Sequence, residues 1–150
     1  MAEPAKTLAG GCLCGAVRFT AAPHTHDFAV CHCSMCRRWG AGPYFAITCV
    51  GTFKIDDASS LGIYRSSDWA ERGFCKQCGT SLFYRLTGKD HYEVSAEAFD
   101  DRSDFAFTTQ IFIDEKPAYY DFANATKNMA GAEVFAQFAP SQTNEPQAKG

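Results

Sequence analysis

The chain has 150 residues and a mass of 16.4 kDa, with 46% hydrophobic residues, 21% charged residues and a formal net charge of −3. That size and composition predict one globular domain with a real core and exclude a disordered chain. The sequence pI of 5.7 argues against nucleic-acid binding. No apolar run approaches a membrane span, and the opening MAEPAKTLAGG lacks the apolar stretch of a secretion signal, so a reducing, cytoplasmic setting is expected.

In chain order, residues 1–10 read as an N-terminal segment with a frayed start, residues 11–135 as the folded domain, and residues 136–150 as a flexible tail. The last stretch, APSQTNEPQAKG, has two prolines and no periodicity. The runs 16–20, 44–47, 52–55, 62–65, 81–85, 92–95 and 109–113 are β-prone and separated by Gly, Asp and Ser clusters. Only Ser34 to Gly40 and Gly131 to Phe138 read as helical turns. Short strands without long intervening helices predict a mainly β domain, its interior filled by the 13 phenylalanines. Residues 1–89 carry ten Lys and Arg against six Asp and Glu, and residues 90–150 four against eleven. The basic half favours a small anionic ligand.

Of the 8 cysteines, seven fall in three clusters: Cys12-Leu13-Cys14-Gly15, Cys31-His32-Cys33-Ser34-Met35-Cys36 and Cys75-Lys76-Gln77-Cys78-Gly79. In a reducing compartment such clusters bind metal or do chemistry. Two cysteines at i and i+2 share one face of a strand, and C-x-x-C chelates around a tight turn. Cys14 and Cys78 are each followed by glycine, which lets the backbone turn sharply beside the sulfur. Cys12, Cys14, Cys75 and Cys78 are therefore paired as a closed, structural zinc site. Cys31, Cys33 and Cys36 remain for a second zinc with one open coordination position, the pattern of a catalytic site. Three thiolates suit such a site to holding an incoming thiol as its thiolate.

Three other readings of the middle cluster stay open. Cys49 as a fourth ligand closes it, His32 adds a nitrogen ligand, or the cysteines form a redox disulfide. Arg37 and Arg38 are placed to offset its charge. Trp39, Tyr44 and Phe45 either wall a pocket or pack in the core. Arg72 either meets a carboxylate of a ligand or makes a salt bridge. There is no Ser/His/Asp arrangement, P-loop or dinucleotide fingerprint.

Taken together, GGCLCGAVRF, CHCSMCRRWG, YRSSDWAERGFCKQCGTSLFYR and IFIDEKPAYYDF resemble, in order, the GFA family, which comprises the glutathione-dependent formaldehyde-activating enzymes and centromere protein V-like domains. The resemblance implies short coiled antiparallel sheets organised around zinc. It implies two zinc ions per chain, structural at Cys12, Cys14, Cys75 and Cys78 and catalytic at Cys31, Cys33 and Cys36. It also implies a carbon–sulfur lyase that joins glutathione or a similar thiol to formaldehyde or another small aldehyde, and the reverse. Arg37, Arg38 and Arg72 are then candidate contacts for the thiol co-substrate. Members often carry a His before the last strand, where this chain has Thr109-Gln110. The alternative is a non-catalytic protein-interaction module with two structural zincs. Neither a nucleic-acid partner nor a membrane is expected.

Overall fold

Alternating apolar and polar residues, punctuated by glycine turns, divide the chain into short strands that pair into two sheets. The computed structural model describes residues 6–138. The smaller sheet is antiparallel, with β1 (Leu8–Gly11), β2 (Arg18–Ala21) and β5 (Lys54–Ile55) in the order β1-β2-β5. The larger takes β3 (Asp27–Cys31), β4 (Tyr44–Val50), β6 (Leu61–Arg65), β7 (Ala70–Cys75), β8 (Ser81–Leu86), β9 (His91–Ser95), β10 (Ala106–Ile111) and β11 (Lys127–Met129). Its order is β11-β10-β3-β4-β9-β8-β7-β6. Helices α1 (Ser34–Gly40) and α2 (Gly131–Phe138) occupy the two segments read as helical.

The mainly β expectation holds, and the larger sheet is mixed where antiparallel pairing was expected. Strand β10 runs parallel to both β3 and β11. Since β3 and β9 each pair antiparallel with β4, they point the same way, and so does β10. Residues 96–105 must then carry the chain back to the starting end of the sheet. That crossover, and not a hairpin, is what parallel pairing requires.

The N-terminal segment also differs from its reading. Leu8 to Gly10 are ordered in β1 and Leu8 is buried, because Leu8 pairs with Ala21 and Gly10 with Phe19. At the other end, residues 136–138 belong to α2. The rest of the expected tail, 139–150, lies outside the described residues, as do residues 1–5.

The main core lies where Leu8, Val17, Phe19 and Ala21 meet Ile47, Leu82, Phe83 and Val94. Fully burying each large apolar side chain contributes roughly 1.5–3 kcal/mol. Phe19 stacks on Phe53 at 5.0 Å and meets Phe99 edge-on at 5.2 Å. Gly10 permits this packing. A Cβ there would lie 2.4 Å from the Ala98 carbonyl oxygen and 2.5 Å from the Phe19 ring. A second, smaller core of Cys31, Cys36, Tyr44 and Ala46 sits beside β3 and β4, with Trp39 and Tyr84 packed against it.

Candidate metal centres

The fold gathers seven cysteines into two groups, Cys12/Cys14/Cys75/Cys78 and Cys31/Cys33/Cys36. Within each, the sulfurs all lie within 4.8 Å of one another. The pairing read from the sequence is the one the fold produces. All eight cysteines are free thiols.

In the first group, Cys12 Sγ is 3.6 Å from Cys14 Sγ, and Cys14 Sγ is 3.8 Å from Cys75 Sγ. A tetrahedron with bonds of ~2.3 Å has edges of about 3.8 Å, so the sulfurs fit zinc. Gly15 and Gly79 adopt φ of +84° and +82°, the left-handed turns expected after Cys14 and Cys78. The Val17 N–H donates to Cys12 Sγ at 3.2 Å. Those of Gln77 and Cys78 donate to Cys75 Sγ at 3.3 and 3.4 Å. Such bonds satisfy thiolate charge without adding ligands. Cys12 and Cys14 sit in the turn after β1, not on a strand, so the turn and not strand periodicity brings both sulfurs to the group, with Cys12 buried and Cys14 exposed.

In the second group, Cys31 ends β3 and Cys33 caps α1, its Sγ accepting from the Cys36 N–H at 3.3 Å. Helix geometry then brings Cys36 back beneath Cys33. His32, between them, is fully buried and faces away. Its Nε2 is 2.7 Å from Gln110 Oε1 and its Nδ1 is 2.8 Å from the Tyr120 hydroxyl. Gln110 Nε2 donates to Thr126 Oγ1 at 2.9 Å, so Gln110 Oε1 accepts from His32 and the Tyr120 hydroxyl donates to Nδ1. Both ring nitrogens are thus engaged away from the cysteines, and desolvation by burial lowers the His32 pKa. Cys49 is buried in the main core, outside both groups, and does not close the second one.

The three arginines separate. Arg37 Nε donates to the His32 carbonyl at 2.8 Å, tying α1 to the loop before it. Arg38 is exposed. Arg72, on β7, is 4% exposed and reaches the second group from across the sheet, with Nη1 3.5 Å from Cys36 Sγ. Its guanidinium carbon is 5.1 Å from the ring centres of both Trp39 and Tyr84. Trp39 and Tyr44 pack on the second group and also line a cleft of about 430 Å³ with Phe45, Gly79, Ser81 and Glu97. The aromatic run after the cysteines therefore both packs and walls a cavity.

Sequence reasoning missed Thr80, Tyr84, Gln110 and Tyr120. Thr80 Oγ1 accepts from the Leu13 N–H at 3.0 Å and lies 3.2 Å from Cys78 Sγ, joining the two halves of the first group. Its place two residues after Cys78 was the available signal. Tyr84 and the His32 partners come from distant strands and loops and leave no local pattern.

Proton sharing sets the order in which the thiols ionise. Hydrogen bonds from Cys31 and Cys36 lower Cys33 to about 2, and those from Thr80 lower Cys78 to about 5. The Ala16 N–H acts to lower Cys14. Partial desolvation and protons shared with Cys12, Cys78 and Cys75 outweigh it and raise Cys14 to about 11. Metal-stripped protein treated briefly with iodoacetamide at neutral pH is expected to react at Cys33 and Cys78 before the more exposed Cys14. Peptide mass spectrometry reads the order, and first modification at Cys14 would show that access outweighs ionisation.

The model of the family described as glutathione-dependent formaldehyde-activating enzyme matches residues 7–115. An uncharacterized lyase of Schizosaccharomyces pombe is 39% identical over 126 residues, covering 83% of this chain and 92% of that protein. A putative glutathione-dependent formaldehyde-activating enzyme of Halomonas elongata is 36% identical over 85 residues, 51% of this chain and 54% of its own length. Among solved structures, a Rhodobacter sphaeroides protein aligns with a TM-score of 0.54 at 25% identity, covering 62% of this chain and 88% of that one.

Proposed function

The chain belongs to the glutathione-dependent formaldehyde-activating enzyme family, and from that premise we propose that it is a zinc-dependent carbon–sulfur lyase. It adds glutathione or a similar small thiol to formaldehyde or another small aldehyde, and catalyses the reverse. The observation that carries this reading is the Cys31, Cys33 and Cys36 group: three convergent sulfurs, no fourth cysteine, and a cleft walled by the Trp39 and Tyr44 that pack on it.

A zinc ion held by these sulfurs would lower the pKa of a bound thiol and keep it as a thiolate. The protein's own contribution is placement. Strand β3 and the first turn of α1 fix the three cysteines, and the His32–Gln110–Tyr120 bonds hold the loop between them. Trp39 and Tyr44, which pack on the cysteine group, give the neighbouring cleft an aromatic wall against which a substrate can be oriented. In the forward direction the thiol sulfur forms a bond to the carbonyl carbon and the C=O electrons move to oxygen. That oxygen takes a proton from water, and the thiol proton leaves to solvent. Tyr44 does not supply the proton, because its hydroxyl donates to the Glu93 carbonyl at 2.6 Å.

No helix among the described residues is long and apolar enough to cross a membrane. The test is NMR exchange spectroscopy on glutathione and formaldehyde with zinc-loaded protein. Exchange between free thiol and hydroxymethyl adduct is expected to quicken in proportion to zinc at the second site. A rate equal to that without protein, for this pair and for other small aldehydes and thiols, would overturn the proposal.

A further inference from the structure

Arg72 is a buried cation that pairs with no carboxylate among the described residues. It is 4% exposed, and its Nε has no hydrogen-bond partner. The neighbouring Glu71 is committed to Arg85, its cross-strand partner on β8, at 2.5 Å. A guanidinium withdrawn from water this far needs compensating charge. The Trp39 and Tyr84 faces supply part of it. The remainder lies in the direction Nη1 points, at Cys36 Sγ, 3.5 Å away, in the group of three sulfurs.

We propose that Arg72 is the counter-charge of the three-cysteine site, and that it determines the site's preference for an anionic rather than a neutral fourth ligand. The inference rests on reading Cys31, Cys33 and Cys36 as ligands of a divalent metal. Three thiolates and one such ion carry a single net negative charge. An arriving thiolate raises that to two, which a low-dielectric site resists. The fixed positive charge of Arg72 cancels one of them, so the thiolate complex with Arg72 is no more charged than the unliganded site without it. A neutral ligand such as imidazole gains nothing comparable. Arg72 is a positioning residue on this account: its charge acts on the ligand without touching the reacting carbon. Neither Arg37, bonded to the His32 carbonyl, nor exposed Arg38 occupies this place.

The experiment uses full-length protein loaded with Co2+, whose visible absorption reports a change of ligand. The four-cysteine site has no open position, so spectral changes on adding ligand read the second site. 2-Mercaptoethanol and imidazole are titrated against wild type, Arg72→Gln and Arg72→Lys. In Arg72→Gln, thiol affinity is expected to fall by about tenfold or more, from the loss of one nearby charge, while imidazole affinity changes less than about twofold. Arg72→Lys keeps the charge without the guanidinium that lies over Trp39 and Tyr84, and is expected to retain the wild-type preference for thiol over imidazole. Equal weakening of both ligands in either variant would reduce Arg72 to packing and overturn the inference. Should Arg72→Gln fail to fold, the Lys variant still decides between charge and packing by that ratio. A wild-type Co2+ spectrum that answers neither ligand would overturn the open-site reading itself, a result separable from failure of the Arg72 inference alone.

Discussion

Cys75→Ser is expected to lower stability by more than about 4 kcal/mol, a fall in Tm of roughly 8–16 °C in a domain of this size. Cys75 is fully buried at the end of β7, its sulfur accepting from two backbone N–H groups and standing 3.8 Å from Cys14 Sγ. The first cysteine group joins a turn near the N-terminus to a turn some sixty residues later, and a metal held there closes that long loop in the folded state alone. Replacing one of four thiolates weakens the metal and exposes the remaining three to mutual repulsion. Cys49→Ser is the internal control, since Cys49 is equally buried in the same core but belongs to neither group. That change costs only the placement of a hydroxyl in an apolar site, about 1–3 kcal/mol. Thermal unfolding with metal analysis distinguishes them: Cys75→Ser loses one metal equivalent and Cys49→Ser loses none. Equal Tm shifts with unchanged metal content in both would remove the structural role of the first group.

The second large effect is on catalysis. Cys33→Ser is expected to slow thiol–aldehyde exchange by about 100-fold or more while leaving the fold in place. The separation follows from the dual role of Cys33. Its sulfur caps α1 by accepting from the Cys36 N–H, and serine is among the preferred residues for that position. Helix α1, and with it Cys36 and Trp39, therefore stays where it is. What disappears is one of three sulfur ligands, the one that ionises most readily. Serine is a poor ligand for zinc, so the second metal is lost or loosely held. Circular dichroism, metal content and exchange rate are measured on one preparation. Wild-type exchange in a Cys33→Ser protein lacking the second metal would place the chemistry elsewhere.

Much of the site could be read without coordinates because its elements are local. C-x-C-G and C-x-x-C-G carry their own turns, and the glycines after Cys14 and Cys78 take the positive φ that the motif demands. Ser34 to Gly40 reads as helical turns, and in the structure Cys33 caps them. The strands that escaped detection carry residues whose roles are settled at a distance. Strand β7 contains Glu71, Arg72 and Gly73, a polar and flexible sequence for a strand lying between two others. Glu71 is neutralised by Arg85 opposite, and Gly73 leaves room for the Phe83 ring, which a Cβ would approach to 2.3 Å. Strand β1, at Leu8 to Gly11, is likewise glycine-rich because Phe19 and the Ala98 carbonyl crowd Gly10.

The sequence by itself determined the chemistry: seven clustered thiols, their division into a group of four and a group of three, and the mainly β character of the chain. Motif spacing and turn-forming glycines are short-range properties, and they survive without knowledge of the rest of the fold. Only the tertiary structure decided which partners surround those thiols. It turned His32 away onto Gln110 and Tyr120, left Cys49 in the main core, and ran β10 parallel to β3 through the crossover at 96–105. It also carried Arg72 from β7 to Cys36, in place of the arginines that follow Cys36 in the chain. These outcomes depend on sheet order and on which charge can be buried beside which, and neither is set by any one segment.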